Sequence, residues 1–196
     1  MRNIFIIHGS YGYPEENWFP WLKKELSKLG HKVFVPQFPV PKNSTPGGHK
    51  PEKWLKEFSQ YKKYINEETI IVAHSRGCVF SYLFLETLKK PVDSIYLVAP
   101  WIYWKTCWYP KGYEKFIDPF HKKPLDWNKI KKNAKHFEIF QSTNDDTPVS
   151  EGKKIAKRLG AELNIVKNAG HFNVAYDKKF VKFSSLLKTI TDHIGK

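Results

Sequence analysis

Ser75, an aspartate at 145 or 146, and His171 are the residues whose types and spacing could do chemistry together. A serine hydroxyl is a poor nucleophile at neutral pH; it needs a general base, and the base needs an acid to orient it. Ser75 stands in Ala73-His74-Ser75-Arg76-Gly77, between the apolar run Ile70–Ala73 and a second run, Val79–Leu88. Short, mostly β-branched and then long enough for a helix, these runs predict strand, sharp turn and helix. A serine at such a turn, with a small residue two positions away on either side, has the layout of a nucleophile elbow. The first small residue is Ala73 where glycine is usual, one methyl larger. The same hydroxyl would serve equally as a helix cap, so the motif gains its weight from partners elsewhere.

Those partners follow two later strands. His136–Gln141 reads as a strand and leads into Ser142-Thr143-Asn144-Asp145-Asp146-Thr147-Pro148-Val149. Leu163–Val166 is the last strand and leads into Asn168-Ala169-Gly170-His171-Phe172. Both candidate groups therefore fall at carboxyl ends of strands, the edge where open α/β sheets place their sites. Asp145-Asp146 is also a good turn sequence, and a lone loop histidine is by itself unremarkable. Agreement of three segments in position is the stronger signal. Of the other histidines, His8 in the first loop more plausibly shapes backbone there than acts as base. His74 adjoins Ser75 too closely to reach its hydroxyl. His31, His49, His121, His136 and His193 lie in polar or lysine-rich stretches and are expected to be solvated. The H-E-x-x-H, P-loop and G-x-G-x-x-G patterns are all missing, which gives metal hydrolysis and nucleotide binding no support; no metal or cofactor is expected.

The elements that must position these groups alternate. Asn3–Ile7 is a first buried strand, ending in His8-Gly9-Ser10-Tyr11-Gly12. Asn17–Leu29 is an amphipathic helix with Pro20 in its first turn and Gly30 as its stop. Lys32–Phe38 is a second strand, and proline-rich 39–51 an ordered surface loop. Glu52–Ile65 carries Trp54, Leu55, Phe58, Tyr61 and Ile65 on one helical face. After the elbow come strand Ser94–Val98, helix Trp127–Ala134, and helix Ser150–Leu159, capped by Ser150 and stopped by Gly160. Lys182–Ile194 is a final amphipathic helix. Between them, 101–126 forms a short aromatic segment, with Trp101, Trp104, Trp108 and Phe120 among its rings, that either caps a pocket or plugs the core edge. This alternation predicts a three-layer α/β domain with a mostly parallel sheet. A chain of 196 residues is most simply one domain, 1–196.

Composition excludes other classes. With 41% hydrophobic and 27% charged residues the chain is globular rather than disordered. Cys78 and Cys107 stand alone, without disulfide or zinc spacing. The apolar run Ile4–Ile7 after a basic start is far too short for a signal peptide, and no stretch reaches transmembrane length. A cytoplasmic protein off the membrane is expected. The net charge of +14 invites nucleic acid, but the charge is lysine scattered over nearly every helix, so no specific nucleic-acid site is expected.

Ile6-Ile7-His8-Gly9, Asn17-Trp18-Phe19-Pro20-Trp21-Leu22, the elbow, Asp145-Asp146 before Val149, and Gly170-His171-Phe172 together resemble the small serine hydrolases of the YdeN and retinoblastoma-binding-protein-9 type. The resemblance spans nearly the whole chain, in the family's order. It implies an α/β-hydrolase fold without a large lid domain, in which the triad runs serine, acid, histidine along the chain. Carried over, it implies Ser75, Asp146 and His171, with Asp146 preferred over Asp145 on its register with Val149. Backbone amides of Ser10 and Arg76 would form the oxyanion hole. Tyr11, Trp101, Trp104 and Trp108 are pocket candidates. The expected activity is hydrolysis of small carboxylic esters or related acyl substrates through an acyl-serine. From another class, the alternative is a scaffold that binds a protein or an anionic ligand with little catalysis, its partner unknown.

Overall fold

The runs Asn3–Ile7 (β1), Lys32–Phe34 (β2), Ile70–His74 (β3), Val92–Val98 (β4), Ala134–Ser142 (β5) and Glu162–Val166 (β6) pair into one sheet in the order β2-β1-β3-β4-β5-β6. Every pairing is parallel. The computed structural model describes residues 1–42, 48–102 and 118–195. Among the described residues six α-helices complete it: Phe19–Lys28 (α1), Pro51–Ser59 (α2), Arg76–Leu85 (α3), Trp127–Lys132 (α4), Val149–Leu159 (α5) and Ser184–Ile194 (α6). Strand side chains alternate between the two faces. Ile4, Ile6, Ile70 and Val72 pack with α1 and α6, whereas Phe5, Ile7, Ile71 and Ala73 pack under α2 and α3. Covered on both sides, β3 is buried at all five positions. This is the three-layer α/β architecture that the alternating elements imply, and among the described residues nothing forms a lid domain. No described helix is long and apolar enough to cross a membrane.

Several boundaries differ from expectation, and three of the differences have a local cause. β2 ends at Phe34 instead of Phe38: Pro36 has no N–H for a ladder, and the Phe38 amide donates to His8 Nε2 at 2.9 Å. The helix expected to reach Ile65 stops at Ser59. Beyond it, a 3₁₀ turn and the Thr69 hydroxyl, which accepts from the Asn66 amide at 2.8 Å, steer the chain into β3. Ser150 lies inside α5, whose N-cap is Pro148 with no side-chain cap.

In this order the connection after β1 runs to β2 on one side, whereas the connection after β3 runs to β4 on the other. The loops after β1 and β3 therefore diverge at a topological switch point, where open α/β sheets leave a crevice. Ser10 and Ser75 lie in or at the ends of those loops.

Candidate active site

The elbow is shaped by close backbone approach. Ser75 has φ 54° and ψ −119°, a conformation that costs a non-glycine residue energy and that the surroundings must impose. Its amide donates to the Val98 carbonyl at 2.9 Å. A Cβ on Gly77 would lie 2.6 Å from the Ile7 carbonyl oxygen and 2.7 Å from that of His8, so only glycine fits. A Cβ on Gly9 would lie 3.0 Å from the Ser75 Cβ, which puts the first loop directly against the elbow. Ala73, in register with Ile7 and Leu97, is fully buried, so the extra methyl is accommodated.

Two buried histidines brace this turn. His8 Nδ1–H donates to the Gly9 carbonyl at 2.8 Å while Nε2 accepts from Phe38, which fixes the tautomer. Burial pulls its pKa down to about 4, so the ring is neutral and structural. His74 Nε2–H donates to the main-chain carbonyl of His171 at 2.8 Å. Burial, then the neighbouring His171, lowers its pKa to about 3. The residue beside the serine thus holds the backbone of the candidate base, a positioning contact the sequence did not suggest.

His171 Nδ1–H faces both carboxylate oxygens of Asp145, each at 3.0 Å. The Asp145 side chain is 0% exposed. The expectation named Asp146 for this place; the carboxylate set against the ring is that of Asp145. The Asp146 side chain turns the other way and accepts from the Tyr176 hydroxyl, which that acceptor raises to a pKa of about 12. Tyr176 packs on Gly170, at φ 52°, where a Cβ would meet the tyrosine Cβ at 2.6 Å. Asp146 therefore touches the histidine loop through Tyr176.

The loop after β5 grips the loop after β6 residue by residue. Thr143 Oγ1 accepts from the Asn168 amide at 3.0 Å, Ser142 Oγ from Ala169 at 2.9 Å, and Asn144 Oδ1 from Gly170 at 2.8 Å. Asp145 then takes the His171 ring. On the far side Trp18 Nε1 donates to the Phe172 carbonyl at 3.0 Å, and Asn17 Oδ1 accepts from the Val174 amide at 3.0 Å.

Arg76 opens α3, so its amide is a first-turn N–H without an intrahelical partner. Its side chain does not face substrate space freely. Nη1 meets both Asp118 oxygens at 2.8 Å, Nε donates to Ser10 Oγ at 2.8 Å, and the guanidinium lies over Phe120 at 5.1 Å. This buried pair ties the Ser10 loop to the residues before α4, and nothing in the sequence linked positions 76 and 118. Of the pocket candidates, Tyr11 is exposed and at φ 56°, next to Ser10. Trp101 is buried beneath the Arg76 guanidinium and joins Phe120 in the core. Trp104 and Trp108 lie outside the described residues.

His49, expected to be solvated, is 3% exposed, edge-on to Tyr11 at 4.6 Å. Burial and then Arg76 lower its pKa to about 3. Of the other four, His136 pairs with Glu138 at 3.3 Å, His193 pairs with Asp93 at 2.9 Å, and His31 accepts from the Arg2 amide at 3.3 Å.

Comparison with known proteins shows the family. The family model described as serine hydrolase matches residues 4–189. The YdeN protein of Bacillus subtilis (strain 168) is 30% identical over 204 residues, covering 100% of this chain and 97% of that protein. The serine hydrolase RBBP9 of Rattus norvegicus is 29% identical over 171 residues, 85% of each chain. The crystal structure of the ydeN gene product superposes with a TM-score of 0.85 at 30% identity, covering 100% of both chains. With a sharp serine turn, a histidine–carboxylate pair and a family match over nearly its whole length, this chain belongs to the serine hydrolase family.

Proposed function

We propose that this hydrolase transfers an acyl group to water through an acyl-serine, with Ser75 as nucleophile, His171 as general base and Asp145 as the orienting acid. One observation carries the reading: the His171 ring is held at Nδ1 by both oxygens of a fully buried carboxylate. That contact selects the tautomer whose Nε2 is free to take a proton, and it stabilises the imidazolium formed on attack. His171 accepts the Ser75 proton as Oγ adds to the acyl carbon, then returns it to the leaving group. A water activated by the same Nε2 cleaves the acyl-serine. The amides of Arg76 and Ser10 are assigned to the developing oxyanion; the bond from Arg76 Nε to Ser10 Oγ holds their two residues together. Small carboxylic esters and related acyl compounds are the proposed substrates.

A fluorophosphonate probe tests this on folded and heat-denatured protein. Ser75 should be the modified residue in peptide maps of folded protein, and denaturation should abolish labelling. Label on Ser10, Ser81 or Ser142, or none on folded protein, would overturn the enzymatic assignment and favour the binding-scaffold alternative.

A further inference from the structure

A cavity opens at the far end of α3 from Ser75. Ser75 sits at the start of α3, whereas Phe84 lies nine residues on, about 13 Å along the helix at 1.5 Å per residue. There α2, the turn before β3 and the end of α3 enclose about 620 Å³. Sites for small molecules run to about 300–1,000 Å³, so this is room for a ligand rather than a packing defect. Leu55, Phe58, Phe84 and Leu88 give it apolar walls, with the two phenyl rings in edge contact at 4.8 Å.

The rim has the opposite character. Lys62, Lys89 and Lys90 surround the opening, against one lining carboxylate, Glu67. Glu67 and Lys90 approach to 3.8 Å with both side chains largely exposed, a pair worth little in water. Lys62 and Lys89 make no ion pair among the described residues. Lysine stems extend an apolar wall while their ammonium groups remain at its edge. An apolar slot with cations on its lip complements a molecule with a hydrocarbon tail and one anionic head. A neutral hydrocarbon would leave the lysines unused, and an amphipathic cation would meet their repulsion. A lysine is a point charge on a flexible arm and asks for no fixed bidentate geometry, which suits a carboxylate carried on a mobile chain.

We propose that this cavity is a non-catalytic site for a linear aliphatic monocarboxylate. The tail lies against Leu55, Phe58, Phe84 and Leu88, and the head lies between Lys62 and Lys89. The assignment rests on the cavity alone and stands or falls independently of the chemistry at Ser75. Decanoate, kept below its micellar concentration, is the test probe. Methyl NMR of the intact protein should show saturable shifts of Leu55, Ile65 and Leu88, with one site per chain by calorimetry. Decyltrimethylammonium should leave those methyls unmoved. The double variant Lys62→Glu/Lys89→Glu should raise the decanoate Kd at least about tenfold, roughly 1.4 kcal/mol, with its melting temperature retained. Should that variant not fold, Lys62→Gln/Lys89→Gln carries the test, with a smaller rise expected. Shifts confined to methyls near Ser75 such as Val98, equal binding of the ammonium amphiphile, or an affinity indifferent to the lysines would each overturn the proposal.

Discussion

The two halves of the candidate site are held by different physics. On the Ser75 side the constraint is steric: carbonyls of Ile7 and His8 crowd Gly77, and Gly9 lies on the Ser75 Cβ. On the His171 side it is polar: Thr143, Ser142 and Asn144 accept from three consecutive amides before Asp145 accepts from the ring. A backbone packed against backbone leaves its mark as small residues at fixed spacing. A loop hung on side-chain oxygens has a looser signature, because neighbouring short polar residues can exchange roles when the turn rotates. The steric half fixes where Ser75 sits, and the polar half fixes which way the His171 ring faces.

The largest test of that division is at the aspartate pair. Asp145→Asn should cost about 10⁴-fold in turnover of an activated ester, as loss of the orienting acid does in other triads. Asp146→Asn should stay within about tenfold, or 1.4 kcal/mol of barrier, because its carboxylate meets the Tyr176 hydroxyl and not the His171 ring. Parallel kinetics on the two variants decide it, and a greater loss at Asp146 would reverse the assignment.

Acid should break the steric half first. His8, His49 and His74 are buried and neutral, with pKa values near 4, 3 and 3 against an ordinary 6.5. Their folded pKa values are depressed, so the unfolded chain takes up protons first as pH falls. The stability they allow is complete above about pH 6.5 and is lost downward, about 1.4 kcal/mol per unit for each histidine. Glu16 runs the other way: burial raises its carboxyl to about 7, so its contribution is lost as pH rises from the ordinary 4.5. Among these four groups two protons' worth remains, about 3 kcal/mol per pH unit between roughly pH 6 and 4.5. Urea midpoints across that range measure the slope, and His74→Gln should flatten it by one proton. Ser142, Thr143 and Asn144 do not titrate, so hydrogen exchange should open the amides around Ser75 before those of 168–170. A flat profile would mean that these histidines are not held neutral.

What the sequence made legible follows the same line. β1, β3 and the serine turn could be read because burial on both faces demands continuous apolar runs and the tight turn demands small residues. The histidine was legible from its place after the last strand. The expectation fell on Asp146 whereas Asp145 faces the His171 ring, because register with Val149 fixes a position along the chain and not the rotation of the turn. A usable signal was present in Ser142-Thr143-Asn144-Asp145, four short acceptors in succession, the residue types that bond neighbouring backbone. His49 looked solvated because its neighbours in sequence are polar, whereas its neighbours in space are Tyr11 and Trp54. The link from Arg76 to Asp118 spans 42 positions and leaves no local trace.

Matched substitutions sharpen the contrast further. Gly77→Ala forces a methyl to 2.6 Å from a carbonyl oxygen, and overpacking of this kind costs about 1–3 kcal/mol or more. Asn144→Ala removes an acceptor from the Gly170 amide and from the Ser142 hydroxyl. Water can reach the Asn144 loop and replace part of that, so the stability loss should be about 1 kcal/mol. The activity losses should rank in reverse of the stability losses among molecules that remain folded, because Asn144 aligns His171 while Gly77 only permits the fold. Urea midpoints together with kcat per labelled site separate the two effects. Equal activity per folded molecule in both variants would show that the polar clamp has no part in alignment.

The smallest effect belongs to Tyr176. Its hydroxyl reaches Asp146 at a largely exposed position, while its ring rests on Gly170 immediately before His171. If the ring is what supports the loop, Tyr176→Phe keeps the support and loses only an exposed hydrogen bond, worth at most about 0.5–1.5 kcal/mol of stability. Activity should then fall by no more than about twofold, a few tenths of a kcal/mol in barrier. Tyr176→Ala removes the ring from over a residue at φ 52° and should lower kcat more than the phenylalanine variant does, with KM for a small ester unchanged, since nothing places Tyr176 against substrate. The Asp146→Ala and Tyr176→Phe losses should also fail to add in the double variant, because both delete one bond. An additive pair, or a phenylalanine variant as impaired as the alanine one, would mean that Asp146 reaches the histidine loop by a route other than Tyr176.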